Sequence, residues 1–131
     1  AGGVEIDITD IPRTFYQVPG VKGHWILADN SRPETINYLH NRDGLKVAAA
    51  KKWSGSVEDG IEYLKGEFED IIIHPRCTMA REEFAKYSYK VDRHTGRATP
   101  KLVDAHNHCI DAIRYALDDM INSNKSFILL P

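Results

Sequence analysis

Cysteine is scarce in this sequence. Cys77 and Cys109 are its two thiols among 131 residues, too few for the disulfide framework of a small secreted domain, so a reducing compartment is the default. A basic excess is missing as well. Seventeen Lys and Arg stand against nineteen Asp and Glu, for a net charge of -2. That excludes a protein holding nucleic acid by bulk positive charge, while leaving room for a local basic patch. No apolar run approaches the roughly twenty residues of a membrane span, and the apolar tail at residues 127–130 is far shorter. No signal-peptide pattern opens the chain. What is present is 42% hydrophobic and 27% charged residues, enough to bury a core and unlike a disordered tail. The length suits a single domain over residues 1–131.

Strand-like and helix-like signals alternate, which predicts an α/β architecture. Residues 10–18 open on Asp10 with Pro12 in the first turn and place Ile11, Phe15 and Val18 on one face, so a short helix is expected. Residues 24–29 form a short apolar run ending at Asp29, as a buried strand would. A second helix starts at Pro33, turns Ile36 and Leu39 inward and stops at Asp43-Gly44. The cycle repeats with a strand at residues 45–50 and a helix carrying Val57, Ile61, Leu64 and Phe68. Residues 70–74, Asp-Ile-Ile-Ile-His, give the strongest strand signal, β-branched and continuous. Thr78 caps a helix with Phe84 and Tyr87, and residues 87–102 read as a β-hairpin turning at Thr95-Gly96. Residues 104–122 read as one long helix with Ile110, Ile113, Leu117 and Met120 as its apolar stripe. There is no internal repeat. Three core strands are few for a parallel sheet buried on both faces, so the domain is expected to be cut short at its N-terminus.

Two acids stand out. Asp29 ends a strand, where side chains of α/β folds leave the sheet at its rim. Asp111 shares a polar stripe with His108 and Tyr115 on the last helix. Carboxylates brought together by a fold repel unless a cation lies between them, which is the chemistry of a Mg²⁺ or Mn²⁺ site. A pair of such ions about 3.5 to 4 Å apart activates water and stabilises the leaving oxygen in phosphodiester hydrolysis. The bland readings are equally concrete: Asp29 as a loop or cap acid before Ser31, and Asp111 as a helix acid paired with Arg114.

Four blocks then occur in order. They are Ala28-Asp29-Asn-Ser-Arg-Pro-Glu-Thr-Ile36; Ala50-Lys51-Lys52 followed by Gly55-Ser56-Val57-Glu58-Asp59-Gly60-Ile61; Ile73-His74-Pro75-Arg76-Cys77; and His106-Asn107-His108-Cys109-Ile110-Asp111-Ala112-Ile113-Arg114-Tyr115-Ala116-Leu117. Together, over residues 4–117, they resemble the C-terminal nuclease domain of phage terminase large subunits. The resemblance implies an RNase H-like fold and metal-dependent cutting of concatemeric double-stranded DNA in genome packaging by a two-metal mechanism. It matches Asp29 and Asp111 to two of the family's three acidic metal-ligand positions, and His108 to a position near the metals. The first acid belongs to an upstream strand with no counterpart here; Glu5 and Asp7 sit in the lead-in to the first helix and do not replace it. The metal site is therefore expected to bind weakly, and the chain alone to cut little. The implied partners are double-stranded DNA, an upstream ATPase domain (the sole route to ATP), the small terminase subunit and the portal protein, in the host bacterial cytoplasm.

Further expectations concern DNA and assembly. Lys90, Arg93, His94, Arg97 and Lys101 crowd the hairpin with Asp92 alone opposing, which suits phosphate contacts or a charge-protected edge. Lys51 and Lys52 are a second DNA-contact candidate. Zinc is disfavoured, since His74, Cys77, His106, His108 and Cys109 lack a usual knuckle spacing. Trp25 and Trp53 read as core and loop packing residues. The Asp29 and Asp111 carboxylates are expected within roughly 4 to 7 Å of one another, and the strand ending at Asp29 to present an edge that either self-associates or is crossed by a rearranged N-terminal segment. The competing hypothesis is a non-catalytic prophage remnant or docking module of the packaging motor.

Overall fold

A computed structural model describes residues 5–87, 89–102 and 107–128. The chain divides into two compact units, residues 1–50 and 51–131.

In the first unit, helix α1 (Ile11–Tyr16) starts behind Asp10 with Pro12 in its first turn. Proline's fixed φ and missing N–H cost nothing there. A single 3-10 turn at Val21–Gly23 leads to strand β1 (Ile26–Ala28). Helix α2 (Pro33–Asp43) follows and ends on Gly44, whose φ of 68° is open to glycine at little cost. Strand β2 (Val47–Ala49) then lies parallel to β1, with Ile26 opposite Val47 and Ala28 opposite Ala49. Leu39, Leu45 and Val47 form the core, and Ile11, Phe15, Ile26 and Ile36 pack against it. The Tyr16 hydroxyl donates to the Asp43 carbonyl at 2.9 Å, satisfying one of the acceptors that the end of α2 leaves unpaired.

The second unit is mainly helical. It holds α3 (Ser56–Glu67), α4 (Thr78–Lys86), an antiparallel hairpin of β3 (Tyr89–Val91) and β4 (Ala98–Leu102), and helices α5 (His108–Ala116) and α6 (Asp118–Ile128). Its buried apolar residues are Ile61, Tyr63, Leu64, Ile110 and Ile121.

Three sequence expectations need correction. Residues 70–74 form no strand. Ile71 lines an apolar cavity of about 200 Å³ with Ile61, Leu64, Phe84, Tyr87 and Ile110, while Ile72 is 93% exposed. The side chains alternate as in a strand, but no described strand lies beside this backbone to complete a ladder. The long last helix is two helices, parted at Leu117, whose N–H bonds back to Ile113 and Arg114 while its carbonyl receives Ile121 N–H. The break turns Met120 outward and buries Ile121; residues 104–106 of the expected helix lie outside the described residues. Trp25 is not a core residue: it is exposed and stacks on His40, ring centres 6.1 Å apart.

Candidate metal and nucleic-acid site

Helix α5 begins behind Asn107, whose side chain makes no capping bond. The cap comes from another helix. Glu83 of α4 is 5% exposed, and its Oε2 accepts the N–H groups of Cys109 at 2.6 Å and Ile110 at 3.1 Å. A carboxylate at this end also suits the helix dipole. Burial first, and then the Glu83 charge, push the Cys109 thiol above its ordinary pKa. Nothing local in the sequence marks Glu83 for this part, since its partners lie 26 and 27 residues away.

The helix so anchored carries His108, exposed at its first position, and half-buried Asp111 one turn on. Asp111 Oδ1 accepts a hydrogen bond from Arg114 Nη2 at 2.6 Å, with the two side chains 25% and 6% exposed. The expected alternative pairing of Asp111 with Arg114 is therefore present. Tyr115 has the Arg114 guanidinium 5.4 Å and the Lys52 ammonium 5.6 Å from its ring centre, so Lys52 stands beside the polar stripe of α5. Lys51 donates its backbone N–H to the buried Asp118 carboxylate, and its ammonium pairs with Asp119. That hydrogen bond and charge raise the Lys51 pKa. Asp118, like Glu83, is a buried acid with no local sequence signal, because the helix start on which it sits appears only in the structure.

Asp29 belongs to the first unit. It follows β1 directly and is exposed, and its Oδ1 accepts Ser31 N–H at 3.2 Å, the turn geometry of a loop acid. In the hairpin, Lys90, Arg93, His94 and Arg97 are exposed. Asp92, the one acid among them, turns inward on its own loop, where Oδ1 accepts the N–H groups of His94 and Thr95. The turn therefore presents its cations while its acid is engaged. The side chain of Lys101 lies outside the described residues.

Among the described residues no three His, Cys, Asp or Glu side chains cluster as a metal cage, and His106 lies outside them. The donor chemistry does fit a hard cation. Asp111 is only half-buried, and its ion pair takes Oδ1 without including Oδ2. Asp29, in the first unit, is likewise a surface carboxylate. Carboxylate oxygens with retained waters are what Mg²⁺ and Mn²⁺ accept.

The described residues fold as helices with short strands, the mixed α/β class. Residues 20–119 match the terminase RNase H-like domain family, and the chain belongs to that family. It is similar to the large terminase subunit of Bacillus phage SPP1, 39% identical over 95 residues, covering 71% of this chain and 22% of that protein. It is also similar to the crystal structure of the large terminase nuclease domain of bacteriophage SPP1 with bound Mn. That match has a TM-score of 0.77 at 31% identity and covers 88% of this chain and 64% of the other. The chain thus spans less than a quarter of the length of the curated relative.

Proposed function

We propose that the chain is the metal-dependent endonuclease part of a DNA-packaging terminase large subunit, hydrolysing phosphodiester bonds of concatemeric double-stranded DNA. The observation that carries the reading is the likeness, at TM-score 0.77, to a nuclease domain that holds Mn. Residues 1–131 are read as one partial nuclease domain, with Asp29 and Asp111 as its metal ligands. Bound divalent cations would supply an activated water and charge stabilisation at the leaving oxygen. Each carboxylate contributes negative charge and hard oxygens, and Glu83 fixes the helix on which Asp111 and His108 ride. His108, exposed one turn before Asp111, is read as the residue that tunes or assists the site. Lys90, Arg93, Arg97 and Lys101 guide the duplex through phosphate contacts, with Lys51 and Lys52 as a second contact.

Two acids hold Mg²⁺ or Mn²⁺ weakly, because fewer charged ligands mean lower affinity. Full cleavage is accordingly assigned to the longer polypeptide, with its ATPase domain, working with a small subunit and a portal in the host bacterial cytoplasm. Plasmid nicking in Mn²⁺ tests this on both the 131-residue chain and the longer gene product. The expected result is nicking by the longer protein that Asp111→Asn abolishes, with little by the chain alone. Cleavage that survives Asp111→Asn, or no cleavage by the longer protein, overturns the reading.

A further inference from the structure

Arg114 is 6% exposed, yet it carries a full charge. Burying a guanidinium is costly unless its charge and its donors are met. Among the described residues the one opposite charge it meets is the Asp111 carboxylate, at 2.6 Å from Nη2, with the Tyr115 ring centre 5.4 Å from the guanidinium. Nη1 reaches the Ser56 carbonyl at a long 3.4 Å, and Nε has no partner among the described residues. The stem of the side chain lies on Gly60 of α3. A Cβ at that glycine would stand 2.5 Å from Arg114 Cδ and 2.9 Å from Cγ, inside van der Waals contact. The backbone of α3 thus leaves the space through which the arginine reaches Asp111. An exposed pair at this spacing on a helix contributes little; a buried, single-oxygen pair with a glycine floor holds one carboxylate in one place.

We propose that Arg114 is the internal counter-ion of Asp111, a positioning residue that stands in for the metal's charge and lowers the affinity of the site for divalent cations. The proposal rests on the reading of Asp111 as a metal ligand. The guanidinium occupies Oδ1 and orients the carboxylate, with Oδ2 outside the pair. A cation arriving at Oδ2 meets a carboxylate whose charge is already partly balanced, and meets a positive neighbour as well. Arg114 therefore acts on the metal through Asp111, and its effect has a sign that a packing role does not share. Loss of packing alone would loosen α5 and weaken metal binding. Loss of the counter-ion strengthens it.

The test is a titration of the whole chain with Mn²⁺, followed by the electron paramagnetic resonance signal of the free ion, with helical circular dichroism as the folding control. Arg114→Met keeps an unbranched stem without the charge and is expected to bind Mn²⁺ about three- to tenfold more tightly, as the removal of one nearby positive charge implies. Arg114→Lys keeps the charge and is expected to stay within about twofold of the parent. Unchanged or weaker binding by a folded Arg114→Met, or equal tightening in Arg114→Lys, overturns the proposal. If Arg114→Met fails to fold, Gly60→Ala, which displaces the stem from Asp111, decides instead: tighter binding supports the proposal, and equal or weaker binding overturns it. Asp111→Asn separates the two levels of the argument. If it leaves Mn²⁺ binding untouched, the metal reading fails and the counter-ion fails with it; if it weakens binding while Arg114→Met does not tighten it, the counter-ion alone fails.

Discussion

Replacing Glu83 by Ala would leave the N–H groups of Cys109 and Ile110 with no acceptor at a buried helix start. Losing a cap of this kind, with a buried donor left unmet, costs about 2 kcal/mol. Urea unfolding followed by circular dichroism should show that loss for Glu83→Ala and a smaller one for Glu83→Gln, which keeps one acceptor oxygen. Lys51 offers a second test at the same scale. Its pKa is raised above the ordinary 10.5 by the hydrogen bond and charge of Asp119. The folded protein thus holds this proton more tightly than the unfolded chain does. The contribution of the pair is complete below the ordinary lysine value and fades as pH climbs through the higher folded one. A carbon-13 NMR titration of the Lys51 side chain should show a midpoint above those of exposed lysines, and Asp119→Asn should bring it back. Neither acid could be ranked from its neighbours in sequence, because what singles each out is a group far along the chain.

Among the elements, the hairpin β3–β4 has the place and the turn that its sequence predicts. Its turn chemistry is local: Asp92 bonds to the next residues and Gly96 takes a φ of 68°, both of which short-range sequence can announce. Each Lys or Arg that neutralises a DNA phosphate contributes about 0.9 to the slope of log affinity against log salt. Replacing Arg93 and Arg97 together by Ala should therefore lower that slope by about two for duplex DNA, measured by fluorescence anisotropy over a salt series. An unchanged slope would leave the hairpin as a charged edge and nothing more. The run at residues 70–74 shows the opposite relation between pattern and structure. Its β-branched residues alternate correctly, with Ile71 against the cavity and Ile72 in solvent, but a strand is defined by a neighbour's backbone. Helices α5 and α6 make a related point. Periodicity runs through Leu117 because residues on either side keep helical spacing, whereas Asp118, just past the break, accepts the Lys51 backbone N–H 67 residues away.

For the whole molecule, β1 has β2 on one side and no other described strand on its second. An open strand edge with half-buried apolar side chains is a template for another chain. Light scattering should show a mass that rises with protein concentration, and Leu27→Lys, which places a charge on the strand, should reduce the rise. A mass that stays at the monomer value throughout would show that the edge is already covered.

The helix with Pro12 in its first turn, the helix stop at Gly44 and the choice of Asp29 and Asp111 as candidate acids were all set by the sequence itself. Each depends on local dihedral preference, on spacing along one helix face or on short words shared with a family. Tertiary structure alone decided that residues 70–74 stay outside a sheet, that the last helix breaks at Leu117, that Glu83 caps α5 and that Gly60 of α3 lies against the Arg114 stem. These outcomes rest on hydrogen bonds and close approaches between residues far apart in the chain. Their energies appear only when folding brings the partners together, and no local pattern encodes which partner arrives.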